Sequence, residues 1–379
     1  MSGIRTKVYT EGSRVSQQMY LWGLSLLPHL GSMTIRRLVE SMGSEMAAFY
    51  ASARQLQAYA GIGGEKAEAI VRTRSRLNLK SAWARLHKRH DLGLATWLDS
   101  NYPMRLKQIY DPPPVLYFQG ELSCLERPAI AIVGRRRASP RGLGWSRRLG
   151  RDLAAAGITV ISGLALGIDA AAHEGSLQTG KTAAVLGTGL DITYPRRNRE
   201  LSWKIRQSGV LISPFPLGTP PRRGNFPARN RIISGLSIGI VVVEAGETSG
   251  ALITAAMAVD QNRDVYAIPG DPSDRGAAGP NKLIQQGAKL IRGAQDVLDE
   301  MQLSCQLQLP LVESIAMKHP DRMPGSARRL LQCLSQPLHV DELAMMTGLP
   351  IATVNSLLVQ LELAGLVEKL DIGVFQRVS

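Results

Sequence analysis

Between Ala129 and Ile268 short apolar runs recur, each closing on a small or turn-forming residue or a carboxylate and then giving way to a stretch with helical spacing. The first three are Ala129 to Val133 before Gly134, Ile158 to Ile161 before Ser162-Gly163, and Thr182 to Leu186 before Gly187. Val210 to Ile212 before Ser213, Ile238 to Val243 before Glu244, and Val265 to Ile268 before Pro269-Gly270 continue the series. Runs that are apolar throughout fit strands buried on both faces, and the helical stretches between them supply the crossovers of a parallel sheet. The pattern predicts an α/β protein with a doubly wound, mostly parallel sheet. Ligands of such sheets bind beyond the carboxyl ends of the strands, where these glycines and serines collect.

The flanks read differently. Residues 1–88 predict helices separated by glycine turns, with a weak internal repeat. Leu27-Pro28-His29-Leu30-Gly31-Ser32 precedes Ile35 and Leu38, and Tyr59-Ala60-Gly61-Ile62-Gly63 precedes Ala67 and Ile70. Each copy is similar to a helix-hairpin-helix, a turn that holds a DNA phosphate without reading a base; a plain packing turn explains the same residues. A preamble from Leu92 to Gly120 leads into the sheet, so the central domain is expected over 89–300. Pro310, Pro320 and Pro324 mark 301–324 as a linker. After it, Ala327 to Leu334, Val340 to Thr347 and Ile351 to Ala364 predict three helices, followed by a hairpin around Gly373. Three helices and a hairpin make a winged-helix domain, expected over 325–379.

Composition sharpens this. Of 379 residues, 45 are Lys or Arg and 31 Asp or Glu, a net charge of +14 on a chain that is 44% hydrophobic, so a folded protein with an acidic partner is expected. The charge is uneven: +9 over residues 1–90, +6 over 91–300 and −1 over 301–379. Cys124, Cys305 and Cys333 are far apart and make no C-x-x-C pair, which implies neither a zinc site nor a disulfide framework and fits a reducing, cytoplasmic setting. Leu21 to Leu30 is too short and too interrupted for a membrane span, so none is expected.

Four stretches carry candidate chemistry. G-R-R-R-A-S-P-R-G, from Gly134 to Gly142, offers a close backbone approach at Gly134, the hydroxyl of Ser139 and the cations Arg135 and Arg136 at a helix start, which makes a phosphate site. It lacks the second and third glycines of G-x-G-x-x-G, so no dinucleotide cofactor is expected. Ser162 and Gly163 open S-G-L-A-L-G-I-D-A-A-A-H, in which Asp169 and His173 stand i,i+4. Without further ligands at supporting spacing, Asp169 reads as a helix-orienting residue and His173 as a packed one, with neither metal nor catalysis implied. Arg222 to Ser237 surrounds Phe226 with Arg222, Arg223, Arg229 and Arg231, and includes Asn225 and Asn230. Cations interleaved with an aromatic suit single-stranded nucleic acid, whose base faces are free to stack; Phe226 as a core plug is the competing explanation. Ser249-Gly250 opens another helix, with Thr254 in its second turn, and offers amides to a phosphate. Glu244 and Glu247 lack an evident acid/base partner and read as structural.

Together these stretches closely resemble the DprA/Smf family, the DNA-processing proteins of bacterial transformation. V-L-G-T-G-L-D-I-T-Y-P-R-R-N, F-P-A-R-N-R-I-I-S-G-L-S, E-A-G-E-T-S-G-A-L-I-T-A and G-P-N-K-L-I-Q-Q-G-A add to the resemblance, which runs in family order from about Tyr102 to Ala288. The resemblance implies a Rossmann-like core between a SAM-like or helix-hairpin-helix domain and a winged helix. It also implies a non-enzymatic mediator that binds and protects single-stranded DNA and loads the recombinase RecA on it, works as a homodimer, and meets single-strand-binding protein. By position, Gly134, Arg135 and Ser139 match the family's phosphate motif, and Arg223 and Phe226 its basic and aromatic DNA contacts. Here Gly134 is followed directly by Arg135 where the family has Ser, so either Arg135 or Arg136 takes the DNA-contacting place, and Leu166 stands where many members have Arg.

The winged helix departs from DNA binding. Its expected recognition helix, Ile351 to Ala364, has Glu362 as its sole charged residue, so insertion into a groove would leave phosphates unneutralised and a protein contact is expected instead. Deleting 325–379 should leave single-strand affinity nearly unchanged in a titration; a large loss contradicts this. The competing enzymatic reading is a nucleotide-processing hydrolase of the lysine-decarboxylase-like type, whose P-G-G-x-G-T signature is missing at Pro269-Gly270-Asp271-Pro272 and at Ser249-Gly250. A helix-hairpin-helix glycosylase fails for want of a suitably placed Asp after Gly63.

Overall fold

The computed structural model describes residues 11–301 and 325–378, with Ala364 and Ile372 excepted. The expected linker therefore lies outside the described residues from 302 onward. Two compact units divide between Ala294 and Gln295.

The larger unit is built on a nine-stranded sheet. Its strands are β1 (Gly93–Thr96), β2 (Val115–Gly120), β3 (Ala129–Val133), β4 (Thr159–Ser162), β5 (Thr182–Val185), β6 (Val210–Ser213), β7 (Gly239–Val242), β8 (Asp264–Ala267) and β9 (Lys289–Leu290). They lie in the order β1-β2-β6-β5-β4-β3-β7-β8-β9. From β6 to β9 every pairing is parallel, whereas β2 runs antiparallel to β6 and β1 antiparallel to β2. The chain winds outward from β3 to β6, then returns to place β7 against the free side of β3. That reversal opens a crevice between the carboxyl ends of β3 and β7, the usual ligand position in an open parallel sheet.

All six apolar runs are strands. What the apolar pattern does not show is β1, β2 and β9. Leu92 to Gly120 carries three consecutive prolines, Pro112 to Pro114, which read as loop, and its two strands form only because β2 finds β6, about ninety residues away in sequence. Strand pairing of that separation leaves no local trace.

Alternate residues along each strand face opposite layers. Ala184 and Leu211 belong to one core with Tyr117, Ile205 and the N-terminal helices, through Leu21, Leu24, Ile35, Leu38 and Ile70. Ala183, Val185, Val210 and Ile212 belong to the other, with Ile232 and Ile233 of the Asn225–Leu236 helix and Ala255 and Ala258 of the Gly250–Asp260 helix. A hydrogen bond of 2.7 Å from Trp22 Nε1 to the Tyr117 hydroxyl ties the first helix to β2. The helical segment over 11–88 thus shares a core with the sheet and folds as part of the same unit. In its second hairpin Gly61 takes φ +64° at the end of the Ala53–Ala60 helix and Gly63 caps Gly64–Ser75, with Ile62 buried between them.

The smaller unit is a winged helix. Helices Gly325–Cys333, Val340–Thr347 and Ile351–Leu363 pack Leu330, Leu343, Leu358 and Leu361 against Phe375 of a three-stranded sheet. Its strands are β10 (Leu338–His339), β11 (Val367–Asp371) and β12 (Val374–Arg377), in the order β10-β12-β11 and antiparallel throughout.

Candidate nucleic-acid interface

At the crevice between β3 and β7 lies an open cleft of about 590 Å³. Three helix or loop entries converge on it: Gly134, Arg135 and Arg136 after β3, Arg223 and Phe226 at the start of the Asn225–Leu236 helix, and Ser249 and Gly250 at the start of Gly250–Asp260. Arg136 and Arg223 are exposed, so the cleft is rimmed with accessible cations.

Phe226 is neither fully exposed nor a core plug. Its ring is half-buried, with the Arg136 guanidinium carbon 5.4 Å from the ring centroid and the Tyr194 ring centroid at 5.7 Å, tilted by 42°. A Cβ on Gly187 would come 2.9 Å from Phe226 Cδ1, so the ring can lie this low only against glycine. Asn225 does not line the cleft; its side-chain amide donates to the carbonyls of Gly187 (3.1 Å) and Pro220 (3.3 Å), which fixes the loop carrying Phe226.

Beneath the cleft is a buried polar network. Arg229, expected to face a ligand, is only 4% exposed, and its Nη1 donates to the carbonyls of Gly163 (2.7 Å) and Val185. Burial drives its guanidinium down to about 10, although Asp169 pulls it up. Gly163 is glycine because a Cβ there would stand 2.4 Å from Arg229 Nη1. Burial raises the Asp169 carboxyl, against the pull of Arg229 and of the Gly163 (3.1 Å) and Ala165 (3.4 Å) amides that donate to it. Asp169 thus holds the loop after β4, as does Asn198, whose side-chain amide donates to Leu164 O at 2.9 Å. Arg229 thus lies on the cleft wall as a mostly buried cation whose Nη1 is engaged with internal carbonyls, so it positions the loops and does not rim the opening as Arg136 and Arg223 do.

His173 is fully buried on the helix Ile168–Ser176, with Nδ1 2.7 Å from Thr182 Oγ1, and burial pushes it down to about 3. It is neutral in the folded protein and ordinary, near 6.5, in the unfolded chain. Its contribution to stability is complete above about pH 6.5 and is lost as pH falls toward about 3. Urea midpoints measured at pH 7 and pH 5 should show the parent losing about 2 kcal/mol more than His173→Gln over that interval.

Two further residues are displaced from their expected roles. Ser139 caps the Pro140–Ala155 helix by accepting from Gly142 N at 2.9 Å, but its hydroxyl also donates to Glu244, and its amide donates to Glu244 Oε2 at 3.0 Å. The end of β7 therefore delivers a carboxylate to that helix N-terminus, which already satisfies the donors expected to take a phosphate. Glu244 is structural. Ser162 is fully buried and donates to Ile132 O at 2.6 Å. Neither serine lines the cleft. Among the described residues no group of three or more His, Cys, Asp or Glu is placed to hold a metal ion, and no helix is long and apolar enough to cross a membrane.

The structure adds residues that sequence reasoning passed over. Tyr194, 41% exposed, stands beside Phe226, and Ile253 joins the cleft wall, where the structure also places Asn230 and Thr254 of the sequence-derived stretches. The signal for Tyr194 was present in Y-P-R-R-N-R, an aromatic beside cations, the same criterion that picked out Phe226.

Comparison with known proteins gives this geometry a family. Residues 93–302 match the family model of DNA recombination-mediator protein A, and residues 320–371 that of the DprA winged helix domain. The Synechocystis Smf protein is 35% identical over 93% of this chain and 97% of its own length. The chain belongs to the DprA/Smf family. Other DprA/Smf relatives include the Escherichia coli Smf protein, 41% identical over 70% of this chain and 72% of that protein. The crystal structure of Streptococcus pneumoniae DprA superposes with a TM-score of 0.66 at 35% identity, covering 74% of this chain and 96% of that one. Helicobacter pylori DprA, whose structure was described for its single-stranded DNA binding mode, superposes with a TM-score of 0.52 at 28% identity, over 57% of this chain and 98% of that one. Membership in the DprA/Smf family gives this chain a DNA-processing, recombination-mediator role.

Proposed function

We propose that the chain binds single-stranded DNA in the cleft between β3 and β7, protects it without catalysis, and promotes the loading of RecA on it, acting as a cytoplasmic homodimer that also meets single-strand-binding protein. The observation that carries the reading is the stack of Arg136 over Phe226 beside Tyr194 at the mouth of a cation-rimmed cleft. Cations track phosphates in any nucleic acid, but an aromatic ledge rewards only bases that are free to leave a stack. The single-stranded DNA bound by the Helicobacter pylori relative supports the same assignment. Gly134, Ser249 and Gly250 supply backbone at the cleft wall, and Arg136 and Arg223 supply the exposed charge. Arg135 also lines the cleft but is half-buried, with its guanidinium beside Gly276 and Asp274: a Cβ on Gly276 would lie 2.7 Å from Arg135 Nη1 and 3.2 Å from Asp274 Oδ1, whereas Arg136 is exposed. Of the two arginines, Arg136 is thus assigned the DNA contact.

A salt-varied titration of single-stranded against duplex DNA tests this. Log affinity for the single strand should fall with log salt at about −0.7 per phosphate contacted. Arg136→Ala and Arg223→Ala should each weaken binding and flatten that slope by about one contact. Equal affinity for duplex and single strand would sink the stacking assignment. RecA filament formation on DNA coated with single-strand-binding protein tests the mediator step, and no acceleration by the protein would remove that part of the reading.

A further inference from the structure

Trp203 is 55% exposed, in a protein whose Trp22 and Trp83 are buried and whose Trp97 and Trp145 are half-buried. It sits on the helix Arg199–Ser208, whose inner face buries Leu201, Ser202 and Ile205. Helical periodicity puts Arg199 and Trp203 on one outward stripe, at i and i+4, with half-buried Arg206 at its edge. Glu200, the carboxylate on the exposed arc, is neutralised by Lys204 at 2.7 Å. Arg196, Arg197 and Arg199 are exposed and hold no side-chain ion pair or hydrogen bond among the described residues.

We infer that this helix face is a second stacking platform, centred on Trp203, which carries single-stranded DNA onward from the cleft. The inference rests on the reading of the cleft as a single-strand site. Continuity supports it: Tyr194 at the cleft leads directly through Arg196, Arg197 and Arg199 into the helix. The helix starts at the carboxyl end of the sheet, where the cleft opens, and Trp203 lies four residues along it, about 6 Å down the axis. A strand leaving the Phe226 ledge over Tyr194 therefore meets a row of free cations and then a flat aromatic face. The surroundings of the ring choose the occupant. An apolar protein partner would be matched by apolar neighbours, whereas Trp203 is flanked by cations, which suit a polyanion with stackable bases.

Two oligothymidylates test the platform, one of about 6 nucleotides that fills the cleft alone and one of about 20 that reaches beyond it. Trp203→Ala should weaken the long oligonucleotide about tenfold and leave the short one unchanged, while Trp203→Phe keeps most of the affinity. Tryptophan fluorescence should be quenched by the long oligonucleotide, and that quenching should disappear in Trp203→Phe. Parental affinity of Trp203→Ala for the long oligonucleotide overturns the inference. So does an equal loss on both lengths with a fall in mass by light scattering, which assigns Trp203 to a contact between protomers. Phe226→Ala separates the two readings: if it weakens both lengths while Trp203→Ala weakens neither, the cleft stands and only the platform fails. If Phe226→Ala itself binds both at parental strength, the cleft assignment is what fails.

Discussion

Phe226→Ala is expected to weaken single-stranded DNA binding by roughly 5- to 150-fold while leaving the dependence on salt unchanged, since a stacked base contributes about 1–3 kcal/mol and no counterion. The ring does two things at once. It offers a face at the cleft, and it fills space beside the Arg136 guanidinium, 5.4 Å from the ring centroid, and the Tyr194 ring at 5.7 Å. Phe226→Leu separates them, because leucine fills the space against Gly187 without a flat face. Fluorescence anisotropy at several salt concentrations should therefore find Phe226→Leu nearly as weak as alanine. A leucine variant of parental affinity would show that the ring is only a spacer.

The second large effect is on folding. Arg229→Met should cost about 3–5 kcal/mol in urea unfolding, because it leaves a buried carboxylate without its counter-charge and two carbonyls without a donor. Asp169 is already raised by burial, and losing Arg229 raises it further. A carboxyl raised in the folded state stabilises the fold when protonated and loses that contribution as pH climbs, so the deficit of Arg229→Met should shrink on acidification. Pairing Arg229→Met with Asp169→Asn should recover part of the loss at neutral pH. Where the single variant remains folded, its DNA affinity should keep the parental salt slope. A slope flattened by one contact would return Arg229 to the ligand-facing role that its sequence context suggests.

That contrast shows where sequence reading stops. Arg223 and Arg229 are six residues apart in one basic loop-to-helix stretch, and no local property separates them. On the Asn225–Leu236 helix, however, Arg229 points inward among Gly163 and Val185, which come from the ends of β4 and β5, while Arg223 precedes the helix and stays in water. Ser139 makes the same point. A serine at a helix start beside arginines is a sound phosphate candidate, and what displaces it is Glu244, 105 residues away and brought there by β7 pairing with β3.

By itself the sequence determined the six parallel strands, the three helices and hairpin of the winged helix, and the placing of the candidate chemistry at strand ends. Each is a local consequence of apolar runs, helical spacing and turn residues. The family, too, was legible, because its motifs are contiguous strings. The tertiary structure alone decided the β1–β2 edge, the merging of the N-terminal helices into the core of the sheet, and the division of the arginines into buried supports and exposed cations. Those outcomes depend on partners distant in sequence. Whether a charge faces water or a carbonyl is settled only when the strands have taken their order.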